Sequence, residues 1–362
     1  MAEFNSIKIP AHRNIYNGFT NRDLRIDFSI PSSGVNPETG ICIVVPGFGG
    51  NIESTIYKKM KEVFADQYNL VTIQCEYFGS EFMQNVNSFN LNCSIDDVND
   101  LLKTSEKEML NKDPSKLIEI LSSYSITLPV IANLSEDENC FNDMGYLQAI
   151  DVITAIEAVK IILKENGLIF NDRKIIGYGH SHGAFLLHLC NRLVPKLFSH
   201  IIDNSAWIEP VYLNSNRYLF QSYGSMTLQI EFDYFAKKNI NDINSLNLEF
   251  MYNDFKNEVK IIIFQGTSDN LINHVLKEDL FKNVPYTEFI LIGDKEVDNQ
   301  IYKSNRHGLD ADFIKMFEFG LSQLGDHINN ASHKDEYEMV ISQTKISVDY
   351  TKGLPIFSFK KI

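Results

Sequence analysis

One serine in this chain has neighbours that could make it a nucleophile. Residues 179–183 read Gly-His-Ser-His-Gly; they follow a short apolar run and precede residues 184–189, whose apolar positions have near-helical spacing. This pattern predicts a strand that turns abruptly into a helix, with Ser181 at the turn. So sharp a turn forces the serine backbone into a sparsely populated conformation, and the residues two before and two after it must be small. Gly179 and Gly183 meet that requirement, so Ser181 is the candidate nucleophile.

A serine nucleophile needs a base to take its proton, and the base needs a carboxylate to hold its tautomer and stabilise the imidazolium. His307 follows a predicted strand at 287–292, just before the last predicted helix. Asp269 follows another predicted strand at 259–264. We therefore predict Ser181 as nucleophile, Asp269 as acid and His307 as base.

Other histidines and carboxylates of the chain are less suited to these roles. His274 and His327 lie within or after helix-like segments instead of at a strand end, so His307 is the favoured base. Asp203, after the preceding strand, is the reserve acid. His180 and His182 flank the predicted turn, where side chains point apart, whereas metal ligands must converge. We therefore expect no metal and no organic cofactor.

The elements that must position these groups predict an α/β fold with a mostly parallel central sheet. Apolar runs at 40–45 and 70–76 are typical of strands buried on both faces, and the helix-like segment 53–64 joins them as a parallel pair. We predict one domain over residues 1–325 with added segments: an insertion at about 77–140, an aromatic-rich cap or lid at about 207–256, and a C-terminal β-hairpin extension over 326–362, packed on the same domain, with its turn at Lys352-Gly353.

Over residues 40–324 the chain resembles the α/β-hydrolase superfamily, because Ser181, Asp269 and His307 occur in the order of its catalytic residues, each after a strand. The loop at 46–50 (Pro-Gly-Phe-Gly-Gly) resembles the superfamily's oxyanion loop, with proline where many members have histidine. The resemblance implies that the backbone N–H groups of Phe48 and His182 face the oxyanion. With its insertion and C-terminal extension the chain looks like a bacterial branch of this superfamily associated with flagellin glycan-modification gene clusters.

Composition excludes several other classes of function. The chain has 362 residues, of which 44% are hydrophobic, enough for a full core. A formal charge of -14 without a basic cluster disfavours nucleic acid and membrane surfaces as partners. The first residues have no hydrophobic signal segment, and the five cysteines show no CxxC spacing. We expect a cytoplasmic protein with reduced thiols that acts on a small molecule.

These observations favour a serine esterase or deacylase that cleaves a small acyl ester, for example a sugar O-acyl group, through a covalent acyl-enzyme. Three alternatives remain open at this point. The acyl group could pass to a sugar or amine acceptor instead of water, or the enzyme could be a serine peptidase of the same fold. The chain could also be a non-catalytic scaffold that binds a partner through its insertion or hairpin.

Overall fold

The computed structural model describes residues 1–84, 86, 88–325 and 335–362. The alternative base His327 and the first nine residues of the predicted C-terminal extension, 326–334, lie outside the described residues. The predicted α/β fold with a largely parallel central sheet is confirmed.

The described chain alternates strands and helices for most of its length. The strands are β1 (Glu3–Pro10), β2 (Asp23–Ile30), β3 (Gly40–Val45), β4 (Leu70–Cys75), β5 (Ser88–Leu91), β6 (Thr127–Asn133), β7 (Ile175–His180), β8 (His200–Asn204), β9 (Arg217–Tyr223), β10 (Met226–Phe232), β11 (Lys260–Gly266), β12 (Thr287–Ile292), β13 (Glu336–Ile341), β14 (Thr344–Asp349) and β15 (Ile356–Lys361). The α-helices are α1 (Thr55–Tyr68), α2 (Ile95–Leu101), α3 (Thr104–Lys112), α4 (Leu117–Leu121), α5 (Tyr146–Glu165), α6 (His182–Leu193), α7 (Ala236–Asn239), α8 (Leu248–Tyr252), α9 (His274–Phe281) and α10 (Phe313–Leu324). Single 3₁₀ turns occur at Ser80–Phe82, Pro114–Lys116, Val211–Leu213, Ile243–Leu246 and His307–Asp310.

The largest sheet has eight strands in the order β1-β2-β4-β3-β7-β8-β11-β12. Strands β4, β3, β7, β8, β11 and β12 pair in parallel, whereas β2 pairs antiparallel with both of its neighbours. Every residue of β3 and β4 is buried, as their continuous apolar runs predict. The carboxyl ends of β7, β8, β11 and β12 therefore meet along one edge of the sheet.

Helices cover this sheet on both faces. On one face α1 and α10 pack together, with the rings of Phe64 and Phe317 stacked at a centroid distance of 3.8 Å. On the other face α5 and α6 pack on each other and on β3, β4 and β7. The two layers bury the strands that hold the predicted site residues.

A second compact unit is built from two separate stretches of the chain, 81–142 and 211–237. Its sheet has the order β5-β6-β10-β9, in which β6 and β10 run parallel and the other pairs are antiparallel. The sequence pattern treats these stretches as an insertion and part of a cap. The β6–β10 pairing joins them into one sheet, while residues 238–256 of the predicted cap belong to the larger unit.

The C-terminal segment contains a three-stranded antiparallel sheet, β13-β14-β15, where the sequence pattern predicts a two-stranded hairpin. The predicted turn at Lys352-Gly353 lies between β14 and β15. The additional turn, at Ser342-Gln343, lacks the usual glycine or asparagine, and Ser342 adopts a φ of 52° there. Asp242 stabilises this turn by accepting hydrogen bonds from Ser342, Gln343 and Thr344. Because Asp242 lies about a hundred residues earlier in the sequence, no local pattern reveals this contact.

All five cysteines are free thiols. Among the described residues, no helix combines the length and the apolar character that crossing a membrane requires.

Candidate active site

Ser181 lies at the turn between β7 and α6, as its sequence context predicts. It is the N-cap of α6 with φ 53° and ψ -118°, and only 5% of its surface is exposed. A Cβ on Gly179 would approach Ala184 N and Cα to 2.5 Å, and one on Gly183 would collide with the carbonyl oxygens of Val45 and Pro46. The backbone passes so closely on both sides of Ser181 that neither glycine has room for a side chain.

The structure brings His307 and Asp269 into register with Ser181. Ser181 Oγ lies 2.7 Å from His307 Nε2, and His307 Nδ1 lies 2.8 Å from Asp269 Oδ2. The Asp269 side chain is fully buried, and 18% of the His307 side chain is exposed. The three predicted residues thus form one continuous chain of hydrogen bonds.

Asp269 is held as an ionised acceptor. Burial alone would raise the pKa of its carboxyl, but the hydrogen bond and the charge of His307, the Leu271 N–H and the Gln265 amide together hold that pKa below its ordinary value. Its Oδ1 also accepts from the Ile272 N–H at 3.0 Å. A carboxylate with this many donors is fixed in position as well as in charge.

The loops that carry His307 and Asp269 are hydrogen-bonded to each other and to Ser205, the residue that follows β8. The Ser268 N–H donates to the Asn305 carbonyl at 2.9 Å, next to the segment that leads into His307. On the other side of His307, the Gly308 N–H donates to Ser205 Oγ at 3.2 Å. Sequence reasoning missed Asn305 and Ser205; the only available signal was their polar character beside a strand end and beside His307.

The loop after β3 lies against Ser181. A Cβ placed on Gly47 would be 3.5 Å from Ser181 Cβ, and the loop is closed by a hydrogen bond of 2.8 Å from the Gly50 N–H to the Gly47 carbonyl. The Phe48 ring contacts the His182 ring at a centroid distance of 5.5 Å. His182 begins α6, where N–H groups have no acceptor within the helix. The loop and the start of α6 thus both adjoin Ser181, and the use of the Phe48 and His182 N–H groups as oxyanion donors stays a prediction.

The histidines around Ser181 point to different places. His180 packs between the rings of His307 and Phe313, and burial, reinforced by His307, lowers its pKa to about 4. Burial lowers the pKa of His182 to about 3. His188 contacts Asp203 instead. Within the described residues, no group of three or more His, Cys, Asp or Glu side chains could hold a metal ion.

Asp203, the reserve acid, lies away from His307 in a second buried polar group. Its Oδ2 is 3.0 Å from Lys277 Nζ and 3.0 Å from His188 Nε2, and all three side chains are fully buried. Burial opposes ionisation of Asp203, but Lys277 and His188 hold its pKa below the ordinary value. Sequence reasoning missed Lys277, because a lysine in a helix is normally exposed.

The fold and this arrangement define the class of the chain. Counted along the chain, the strands of the large sheet have the order 1-2-4-3-5-6-7-8 with the second antiparallel, and the turn that holds Ser181 follows the fifth. This is the α/β-hydrolase fold. Within it, the chain belongs to the family described as "Protein of unknown function (DUF2920)", whose model matches residues 18–280.

Solved structures similar to this chain share little sequence identity with it. Est1E from Butyrivibrio proteoclasticus is 13% identical, with a TM-score of 0.45 over 89% of this chain and 99% of its own. The S-formylglutathione hydrolase of Agrobacterium tumefaciens is 10% identical, with a TM-score of 0.48 over 90% and 95%. The Pyrococcus horikoshii acylaminoacyl peptidase is 11% identical, with a TM-score of 0.48 over 92% of this chain and 43% of its own. No curated protein matches the sequence.

Proposed function

We propose that this protein is a serine hydrolase that cleaves a small acyl ester through a covalent acyl-enzyme. The observation that carries the proposal is the hydrogen-bonded series from Ser181 Oγ through His307 to Asp269, at 2.7 and 2.8 Å. Ionised Asp269 can only accept, so His307 Nδ1 bears the proton and Nε2 presents its lone pair to the serine hydroxyl.

The reaction follows from this tautomer. Ser181 Oγ attacks the acyl carbonyl while its proton passes to His307 Nε2, and Asp269 stabilises the resulting imidazolium. The backbone N–H groups of Phe48 and His182 donate to the oxyanion of the tetrahedral intermediate. His307 then returns its proton to the leaving alcohol, and water, activated by the same histidine, releases the acid from Ser181.

The substrate we propose is neutral or modestly polar. The chain is acidic, with a formal charge of -14, which disfavours an anionic substrate. The resemblance to a bacterial branch associated with flagellin glycan modification makes an O-acyl sugar the first substrate to test. The reaction we propose uses only side chains and backbone groups of this chain and needs no metal or organic cofactor.

A fluorophosphonate probe tests the nucleophile directly. The purified wild type should gain one probe mass, mapped by peptide mass spectrometry to Ser181, and the Ser181→Ala variant should gain none. A folded wild type that stays unlabelled would contradict the enzyme proposal and favour a binding scaffold.

The class of reaction is tested next with aryl esters of increasing acyl length and with acetylated sugars. We expect acetyl esters to be turned over fastest and free acid to be the product. Recovery of the acyl group on an added sugar or amine acceptor would instead identify a transferase, and faster cleavage of peptide amides would identify a peptidase.

A further inference from the structure

A series of hydrogen-bonded polar side chains continues from Asp269 on the side away from His307. Gln265 Nε2 donates to Asp269 Oδ2 at 2.8 Å, the same oxygen that accepts from His307. Lys277 Nζ donates to Gln265 Oε1 at 3.2 Å. Lys277 in turn pairs with Asp203, which is bonded to His188, whose Nδ1 meets the Tyr252 hydroxyl at 2.7 Å.

Lys277 fixes the order of donors and acceptors in this series of hydrogen bonds. An ammonium group has three donors and no acceptor, so the amide of Gln265 must turn its oxygen toward Lys277. Its NH₂ group then necessarily faces Asp269. In the reverse orientation, an amide oxygen would face a carboxylate oxygen, and the Asp269 carboxylate would lose a buried donor.

Lys277 also sets the charge balance around His307. The side chains of Asp203 and Asp269 are two buried carboxylates, and the Lys277 ammonium, 3.0 Å from Asp203 Oδ2, neutralises the first of them. The negative charge of Asp269 is then the one left to face His307. Asp203, the reserve acid, therefore does not act on His307 as a second negative charge.

We propose that Gln265 and Lys277 are positioning residues that hold Asp269 in the orientation His307 requires. This inference rests on the proposed function, but its geometric part concerns the His307–Asp269 hydrogen bond, which exists without substrate. Neither residue touches the reacting atoms. Each acts through Asp269.

Two variants and a matched control test this proposal in the full-length protein. Gln265→Met keeps the length of the side chain and removes the donor. Lys277→Met combined with Asp203→Asn removes the ammonium without leaving a buried carboxylate unpaired. Tyr252→Phe, at the far end of the same series of hydrogen bonds, is the control, because it removes a hydroxyl group bonded to His188 without reaching Asp269.

The first measurement uses the far-downfield proton NMR resonance of His307 Nδ1–H, assigned by its loss in His307→Gln. We expect this resonance to be displaced or lost in Gln265→Met and in the double variant, and unchanged in Tyr252→Phe. The second measurement is steady-state kinetics on the best ester. Loss of a donor to a charged group should lower kcat about 10-fold to 100-fold in Gln265→Met, with KM changed less than about twofold.

The outcomes separate the two proposals. If the resonance and kcat of both Gln265→Met and the double variant match those of the wild type, the positioning role is overturned while the hydrolase proposal stands. If the wild type fails to label at Ser181 but the resonance responds as expected, the hydrolase proposal falls and the positioning role stands. An equal change in Tyr252→Phe would also overturn the positioning role, because the effect would then follow from a general loosening of the buried chain.

Discussion

The Gly308→Ala variant tests how tightly the loop after β12 holds His307. Gly308 has a φ of 73°, and a Cβ there would lie 2.5 Å from His180 Nε2. The His180 ring is half-buried and lies between the rings of His307 and Phe313, at centroid distances of 6.4 and 4.8 Å, so it has little room to withdraw. The added methyl group must therefore move either His180 or the backbone beside His307.

The expected loss of folding stability has two contributions. A left-handed φ costs a residue with a Cβ about 1 to 2 kcal/mol, and overpacking a filled site costs about 1 to 3 kcal/mol. We therefore expect the free energy of unfolding to fall by about 2 to 5 kcal/mol. A displacement of about 1 Å at the catalytic geometry should lower kcat about 100-fold.

Urea denaturation and ester hydrolysis measure these two effects, and the chain offers a matched control. Gly34 has a φ of 81°, and nothing lies within 4 Å of its Cβ position, so Gly34→Ala should show only the conformational part and no loss of activity. His180→Ala should relieve part of the loss of stability that Gly308→Ala causes. The two substitutions should therefore show a coupling energy of about 1 to 3 kcal/mol in the free energy of unfolding. If Gly308→Ala and Gly34→Ala cost the same, the steric argument is refuted.

Four further variants probe the acid, the reserve acid, the buried His182 and the turn at the serine. Asp269→Asn should lower turnover about 10,000-fold. Asp203→Asn should mainly lower stability, by about 3 to 5 kcal/mol, because it leaves Lys277 buried without its anion. The reverse pattern would show that the acid is misassigned. Burial depresses the pKa of His182 to about 3, so the stability that its neutral form gives is present above pH 6.5 and is lost as the pH falls toward 3. The free energy of unfolding should accordingly drop by about 2 kcal/mol more between pH 7 and pH 5 in the wild type than in His182→Gln, and equal slopes in urea titrations would contradict this. Gly183→Ala should lower both melting temperature and turnover, because its methyl group would collide with two backbone carbonyl oxygens at the end of β3; unchanged values would mean that the turn is not tight.

The site residues whose positions could be predicted from the sequence are those that a local sequence pattern marks. Ser181 is marked by flanking glycines that the closely packed backbone requires, and Asp269 and His307 each follow an apolar run that forms a parallel strand. Chain order and strand ends were enough to choose His307 over His274, which begins α9. At these positions the local sequence pattern and the order of the strands predict the same location, so a single sequence is enough to find the residues.

The remainder depends on contacts between distant residues. Lys277 lies 74 positions from Asp203 in the sequence, and only the packing of α9 makes it a buried partner instead of a surface lysine. Strands β6 and β10 each show alternating burial, but their parallel pairing joins segments about a hundred residues apart. No periodicity specifies which of several strands a strand will pair with. The sequence pattern alone therefore separates the insertion from the cap.

Three residues close to Ser181, His307 and Asp269 have strained backbone conformations, and hydrogen bonds to neighbouring segments hold them. Ser181, Ser205 and Leu309 have φ values of 53°, 57° and 63°, which residues other than glycine rarely adopt. Each is tied to a neighbouring element: the Ser181 N–H donates to the Asn204 carbonyl at 2.7 Å, the Ser205 N–H to the Phe264 carbonyl at 3.0 Å, and the Leu309 carbonyl accepts two backbone N–H groups at 3.1 Å. Strain persists only where the surroundings over-determine a conformation. Because these backbone hydrogen bonds fix the turns around Ser181 and His307, they also fix the positions from which Ser181, His307 and Asp269 hydrogen-bond to each other.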